Sequence, residues 1–486
     1  MNIKIDDAAS LVENLRSLPH ETDWVEFKHN YENEEGIGKY ISALCNAAIL
    51  NEKDDAYLVW GIEDETHKVV GTNVDVRKKK KGNSPFLFWL SRELDPSPTL
   101  HVETVEYEGM RVELLCIRPP YERPVRFKGQ AYVRVGTAQQ RLSDHPELER
   151  SIWQITSRFS FEESIIEPNA TLENLDEKYD YTKLLNVLGV RTSSKEARIT
   201  KLESEGLIKI NLQGRYDIKS LLAISCASDL NEFSALRSRG ARVISFDGAD
   251  KGHAADDIEG KRGYAVVFEN LLKVMMSRLT LGEYFEGGKR RNHYAIPEET
   301  IREFAANAIV HQDFTKQGER PTFEVYSDRV RIINPGVPLI EADRFIDSPS
   351  RSRNPSFAGL MRKAGLCELR GSGVDRAVRA IERMALPPPL IQPVEGSTIV
   401  TVFKDRPFAK LTPEERVRAC YQHACLKYEG GEAMSNSSLR ERFGLSKRQY
   451  PQISNVIRDS IEAKKIVPEN EDQGKRYARY LPYWAR

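Results

Sequence analysis

The spacing of apolar and polar residues changes several times along this chain. In IGKYISALCNAAIL (37–50) the apolar positions recur every three or four residues, which predicts a helix with one buried face. AYLVWGI (56–62) is an unbroken apolar run closed by glycine and predicts a strand, and EDETHKVVGT (63–72) predicts a turn into a second one. VETVEYEGMRVELLCIR (102–118) alternates on both sides of Glu108-Gly109 and predicts a hairpin, with AYVRVGT (131–137) as a further strand. RKKKKGNSP (77–85) breaks the pattern as a basic loop.

Beyond this region, residues 156–177 are acidic and aperiodic and predict a linker. YTKLLNVLGV, SSKEARITKLESEGLIKI and NLQGRYDI (181–218) then predict helix, helix and glycine-turned hairpin, a small winged-helix-like unit. Residues 219–408 mix both periods, with a helix at PEETIREFAANAIVHQDF (297–314), a strand pair at TFEVYSDRVRIINPG (322–336) and a glycine turn opening a helix at RGSGVDRAVRAIERM (370–384). The last segment predicts helices at 413–427, 436–444 and 447–464, followed by a short basic tail: a second helix-turn-helix outline. The expected architecture is α+β and multidomain, divided at 1–155, 156–218, 219–408 and 409–486.

Composition narrows this only at the edges. At 486 residues the chain is too long for one core. Its 72 Lys and Arg balance 72 Asp and Glu, so a polyanion partner must be met by local patches. No run reaches about 18 apolar residues, which argues against a membrane span, and the N-terminus lacks a basic-then-apolar leader. Six scattered cysteines without a CxxC pair suit a reduced cytoplasm and argue against structural zinc.

Two groups of polar residues carry candidate chemistry. HETDWVEFKHN (20–30) holds Glu21 and Glu26, and the strand AYLVWGI delivers the chain to Asp64. Spacing leaves two readings open: surface acids around a turn, or a hard all-oxygen cluster for Mg²⁺ or Mn²⁺ with Lys28 beside it as a phosphate partner. WVEFK, the helix ISALCNAA, YLVWGIEDE…VVGT and AYVRVGT, in this order, resemble the Schlafen AlbA-like domain over residues ~15–150. The resemblance implies catalytic and metal-binding roles for Glu21, Glu26 and Asp64, as in Schlafen nucleases that cleave transfer RNA. The family also holds members described as DNA-binding regulators. The chain departs from the family at NAAILNEKDDA, a polar insertion before the strand that puts the approach of Asp64 in question.

In REFAANAIVHQDF, Glu303, Asn307 and His311 are four apart and fall on one helical stripe. A solvated face or a buried polar network would also produce this spacing. The stripe resembles the N-box of GHKL ATPases such as gyrase and histidine kinases, and RGSGVDRAV resembles their second glycine box, Gly371, Ser372 and Gly373. The resemblance implies an α/β sandwich over about 219–405 that binds ATP with Mg²⁺. Where the family has an adenine-reading Asp the chain has IINPG, with Asn334 in that place and Gly336 after it.

Together these features favour a metal-dependent endoribonuclease acting on structured, transfer-RNA-like RNA and gated by a nucleotide module. Lys28, Arg77, Lys78, Lys79, Lys80, Lys81 and Arg134 would hold the RNA backbone. A single AlbA-like lobe, where eukaryotic Schlafens pair two, favours a homodimer. The rival is a nucleotide-responsive winged-helix regulator that binds DNA without cutting it, with Lys447, Arg448, Gln449 and Tyr450 at a recognition-helix start. The sensor-plus-effector layout also suits a subunit of a host-defence assembly.

Overall fold

The computed structural model describes residues 8–485, except 19–21, 122, 137, 159–160, 193, 212–213, 287–288, 317, 350, 368–372, 471–473 and 475–477. The chain divides into two compact units, Met1–Glu173 with Glu205–Lys219, and Asn174–Ser204 with Ser220–Arg486.

The first unit carries helices α1 (Ala8–Arg16), α2 (Glu34–Leu50), α3 (Phe86–Glu93) and α4 (Pro146–Arg158). Its main sheet runs Val25–Lys28, Ala56–Trp60, Met110–Arg118, Thr99–Tyr107. The first two strands are parallel and the other pairings antiparallel. Every side chain of Ala56–Trp60 is buried, as its unbroken apolar run requires of a strand covered on both faces. The predicted hairpin turns at Glu108 and Gly109 with φ of 52° and 72°, the left-handed pair that matches the twist of the strands.

Helix α2 starts where Asn33 Oδ1 accepts the Gly36 amide at 2.7 Å, with Glu34 and Glu35 in the first turn facing the positive end of the helix dipole. Its buried Ser42 and Asn46 fasten it to strand Gln130–Val135 and to Val125, just before strand Arg126–Phe127. Asn46 Nδ2 donates to Val125 O (2.9 Å) and Tyr132 O (2.7 Å), and Ser42 Oγ donates to Val125 O (2.8 Å).

The expected linker at 156–177 is largely structured. Ile165–Ala170 is a strand paired with Tyr216–Lys219, which pairs in turn with Ile208–Ile210. Ile166 and Ala170 supply the buried side, and Asp217 Oδ1 accepts the Asn169 amide at 2.8 Å. Scattered acids around IIEPNA hid this short alternation.

Most of α5 (Leu172–Lys178), then α6 (Tyr181–Val187), α7 (Lys195–Ser204), α8 (Ser220–Cys226), α9 (Tyr264–Ser277), α10 (Glu298–Val310), α11 (Pro355–Lys363) and α12 (Gly373–Arg383) belong to the second unit. Its six-stranded sheet runs Ala254–Glu259, Arg242–Phe246, Thr322–Val325, Arg329–Pro335, Ser397–Phe403, Leu390–Val394. Helix α10 lies on strand Arg329–Pro335 and against α9 and α12.

The same unit ends with α13 (Pro413–Glu429), α14 (Asn436–Arg442) and α15 (Tyr450–Glu462). The segment expected as a basic tail instead forms strands Ile466–Pro468 and Arg479–Pro482, and the latter also pairs with Met434–Ser435. Buried Ile466 beside half-buried Tyr480 explains the difference, since the tail carries apolar side chains to pack on the core. Among the described residues no helix is long and apolar enough to cross a membrane.

Candidate functional site

Two polar centres stand out, one in each unit. In the second unit a cavity opens between α10, strands Arg329–Pro335 and Ser397–Phe403, and the start of α12. Phe304, Ala308, Ile332 and Val400 form apolar walls, and Asn307, His311, Asn334, Thr398, Arg351 and Arg353 bring polar groups to it. Asn307 and His311 reach it because they stand one turn apart, Asn307 on α10 and His311 as its C-cap.

Burial, and to a lesser degree Arg353, pulls the His311 imidazole down to about 4, so near neutral pH it is uncharged with one donor and one acceptor nitrogen. Asn334 sits on the sheet opposite Thr398 and is buried. Its amide is satisfied with the nitrogen toward Ala308 O (3.0 Å) and Pro335 O (3.1 Å), which keeps its oxygen as an acceptor. Gly336 has φ of 118°, a conformation that L side chains rarely adopt, so glycine is needed for the turn itself.

Glu303 is placed differently from its two partners in the stripe. It is buried against the start of α12, paired with Arg376, and the cavity lining does not include it. A Cβ on Gly373 would meet Glu303 Oε2 at 2.6 Å, so the carboxylate lies directly over the first residue of the helix. Gly373 itself lines the cavity, whereas Gly371 and Ser372 lie outside the described residues.

Arg351 and Arg353 are the residues that sequence reasoning missed. Arg353 Nη1 donates to His311 O and Nη2 to Val337 O, both at 3.2 Å, strapping one wall of the cavity to the end of α10. Their signal was SRSRNP, two guanidinium side chains two apart just before a helix start, the residue type that grips phosphate.

In the first unit, Glu26 lies on the parallel strand pair, with Glu26 opposite Leu58 and Lys28 opposite Trp60. The polar insertion before the strand leaves this register intact. Asn51 ends α2, and Asp55 takes Arg118 in a two-pronged ion pair at 2.8 Å. Leaving the same end of the pair, Lys28 and the turn after Gly61 come together. Lys28 Nζ is 2.5 Å from Glu26 Oε1 and 3.4 Å from Asp64 Oδ2. Glu26 Oε2 is paired with Arg134, itself buried and pulled below the usual guanidinium range by that burial. Trp24 and Phe27 pack in the core.

Two of the three expected acids therefore converge on one ammonium, and Glu21 lies outside the described residues. Hard carboxylate oxygens suit Mg²⁺ or Mn²⁺, but both oxygens of Glu26 already face cations. Among the described residues no group of three His, Cys, Asp or Glu could hold a metal ion.

The basic loop is also largely neutralised: Arg77 pairs with Glu103 (3.3 Å), Lys78 with Asp75 (2.9 Å), Lys79 with Glu32 (3.4 Å) and Lys81 with Glu34. Among the described residues no ion pair engages Lys80.

Two family descriptions match stretches of the chain. The family description "Schlafen, AlbA_2" matches residues 21–143. "Putative ATP-dependent DNA helicase recG C-terminal", an ATPase-like family, matches residues 318–402. The chain joins a Schlafen AlbA_2 domain to an ATPase-like domain. The Schlafen AlbA_2 stretch contains Glu26, Asp64 and the lysine loop. The ATPase-like stretch contains Asn334, Gly336 and Gly373, while α10 precedes it. No curated protein matches the chain. A solved structure, the DIP2311 protein from Corynebacterium diphtheriae, aligns over 98% of this chain and 96% of its own at 17% identity and a TM-score of 0.41.

Proposed function

We propose that this chain is a nucleic-acid-binding protein whose C-terminal helices respond to a nucleotide bound in the cavity of the ATPase-like domain. The observation that carries the reading is the course of α12. Its first residues, Gly373 and Val374, line the cavity. Its last turn presents Glu382 to His423 Nδ1 of α13 at 3.0 Å and to Arg442 Nε of α14 at 3.8 Å. Midway, Arg379 Nη2 donates to Leu426 O at 3.1 Å.

The other wall of the cavity is tied to the same helices. Phe345 and Ser348 line it, and between them Ile346 packs with Val378, Tyr421 and Leu426. Tyr421 Oη donates to Asp343 O at 2.7 Å. A ligand that pulls α12 and the 343–348 segment together acts on side chains already packed on α13 and α14.

ATP fits the donors present: Asn334 offers an acceptor to the base, Arg351 and Arg353 offer cations to phosphate, and Asn307 a ligand for the accompanying Mg²⁺. With Glu303 held by Arg376, the arrangement favours binding over hydrolysis. The test is fluorescence anisotropy of labelled transfer RNA and labelled duplex DNA with the full chain, with and without Mg·ATP. The reading expects an affinity that changes at least threefold with nucleotide and an effect lost in Asn307→Ala. Equal affinities in both conditions would overturn it.

A second reading, metal-dependent RNA cleavage, is favoured by the meeting of Glu26 and Asp64 at Lys28. Mg²⁺ or Mn²⁺ there would polarise a phosphodiester and acidify bound water. The metal would have to displace Lys28, whose ammonium would then be free for the RNA phosphate. Incubation with total transfer RNA and Mn²⁺ tests it. Asp64 is exposed, so Asp64→Asn separates chemistry from folding, and cleavage undiminished in that variant would sink the reading. A homodimer would restore the paired lobes of eukaryotic Schlafens, and light scattering would give the mass.

A further inference from the structure

The C-terminal helices carry a polar face that neither the cavity nor the carboxylate pair uses. α13, Met434–Ser435, α14, α15 and the two closing strands follow the order helix, strand, helix, helix, hairpin, which is that of a winged helix. The apolar side of α15 is spent on the core, with Ile453, Val456 and Ile457 buried among Ala419, Leu439, Phe443 and Ile466. The opposite side is exposed, and along it stand Gln452, Asn455 and Arg458, three residues apart, on one face of the helix.

These three side-chain types make paired hydrogen bonds to base edges in the major groove: Gln and Asn to adenine, Arg to guanine. The segment just before them supplies the backbone contacts such a helix needs. Ser446 and Gln449 form a capping box that fixes the turn into α15 and leaves Lys447 and Arg448 exposed.

The charge pattern separates this face from the lysine loop of the Schlafen AlbA_2 domain. In the loop four of five cations are paired with acids. Among the described residues no acid pairs with Lys447 or Arg448. Among the described residues Arg458 meets Asp459 (3.3 Å) and Glu462 (3.7 Å), contacts that water and salt weaken. Residues 446–465 hold five Lys and Arg against two acids in a chain that is neutral as a whole. Asn436 Nδ2 donates to Tyr450 O (3.3 Å) and Ser454 Oγ (3.1 Å), so α14 holds the first turn of α15 in place.

We infer that α15 reads duplex DNA in the major groove, with Gln452, Asn455 and Arg458 on base edges and Lys447 and Arg448 on the flanking phosphates. The inference rests on the nucleic-acid reading above and adds the substrate class and the residues that set sequence. It does not depend on the cavity.

Selection of the full chain against a random-sequence duplex DNA pool at physiological salt tests it, with a structured-RNA pool in parallel. The wild type is expected to enrich one DNA motif. Gln452→Ala with Asn455→Ala should lose that motif yet still retain DNA without preference. Lys447→Ala with Arg448→Ala should weaken binding to every sequence and lower the slope of log affinity against log salt by about 2, since each phosphate contact contributes about 0.9. All four positions are exposed, and unchanged thermal melts confirm that the variants fold.

Binding of duplex DNA without any enriched motif would overturn the inference while leaving general nucleic-acid binding in place. A motif unaltered in the Gln452/Asn455 variant would overturn it too, as would enrichment confined to the RNA pool. Binding to neither pool would overturn both readings together.

Discussion

The cavity beside Asn307 and the acid pair around Lys28 are made of the same material, polar side chains held on helices and strands, yet they differ in what is left to offer a ligand. At the acid pair the protein supplies its own countercharges: Lys28 and Arg134 meet both oxygens of Glu26, and Lys28 also reaches Asp64. At the cavity the histidine is neutral, the asparagine oxygen remains an acceptor and Arg351 is exposed. A polar cluster that is internally neutralised is held together by its own charges, and any ligand must first compete with them. A polar cluster with spare donors and acceptors inside apolar walls is ready for a ligand as it stands.

The largest effect that separates the two is on stability. Arg134→Ala strips a buried carboxylate of one of its two cations and is expected to destabilise the first unit by about 3 kcal/mol, the lower end for a broken buried pair because Lys28 remains. Urea melts measure this, and a loss below about 0.5 kcal/mol would mean that the acid pair is less internally balanced than the geometry implies. Asn307→Ala should do the reverse, leaving the melt nearly unchanged while weakening Mg·ATP about tenfold, equivalent to about 1.4 kcal/mol.

A third, smaller effect concerns the route out of the cavity. Asp375, in the first turn of α12, is raised to about 6, chiefly by burial, against the partial relief of Arg379. An acid whose folded value is raised contributes stability that is complete below its unfolded value near 4 and is lost as pH rises through 6. Asp375→Asn should therefore raise the unfolding temperature by a few degrees at pH 8 and leave it unchanged at pH 4. An equal shift at both pH values would place the effect elsewhere. The smallest effect is expected in the lysine loop, where Lys81→Ala removes an exposed ion pair with Glu34 and should cost no more than about 0.5 kcal/mol.

Much of the fold could be read from periodicity, because helix α2, the buried strand 56–60 and the hairpin across Glu108-Gly109 each have a strong local pattern. The strand at 165–170 and the closing hairpin of the C-terminal segment could not. They are short, acids or bases surround them, and part of their pairing is distant, from 165–170 to 216–219 and from 479–480 to 434–435. The stripe of Asn307 and His311 could be read because helical spacing is local, and Asn334 because a family pattern marked its place. The neutralising of Glu26 could not be read, since Arg134 is brought to it by tertiary packing from 108 positions downstream. The same holds for Glu303, which spacing placed with Asn307 but which the packing of α12 turns toward Arg376.

Whether the cavity of the second unit holds a nucleotide is decided by calorimetric titration of Mg²⁺ with a non-hydrolysable ATP analogue into the full chain. One saturable site per chain is expected, lost when Asn307→Ala and Arg351→Ala are combined. No heat of binding in the wild type, or a site that the double variant leaves unaltered, would rule the nucleotide site out.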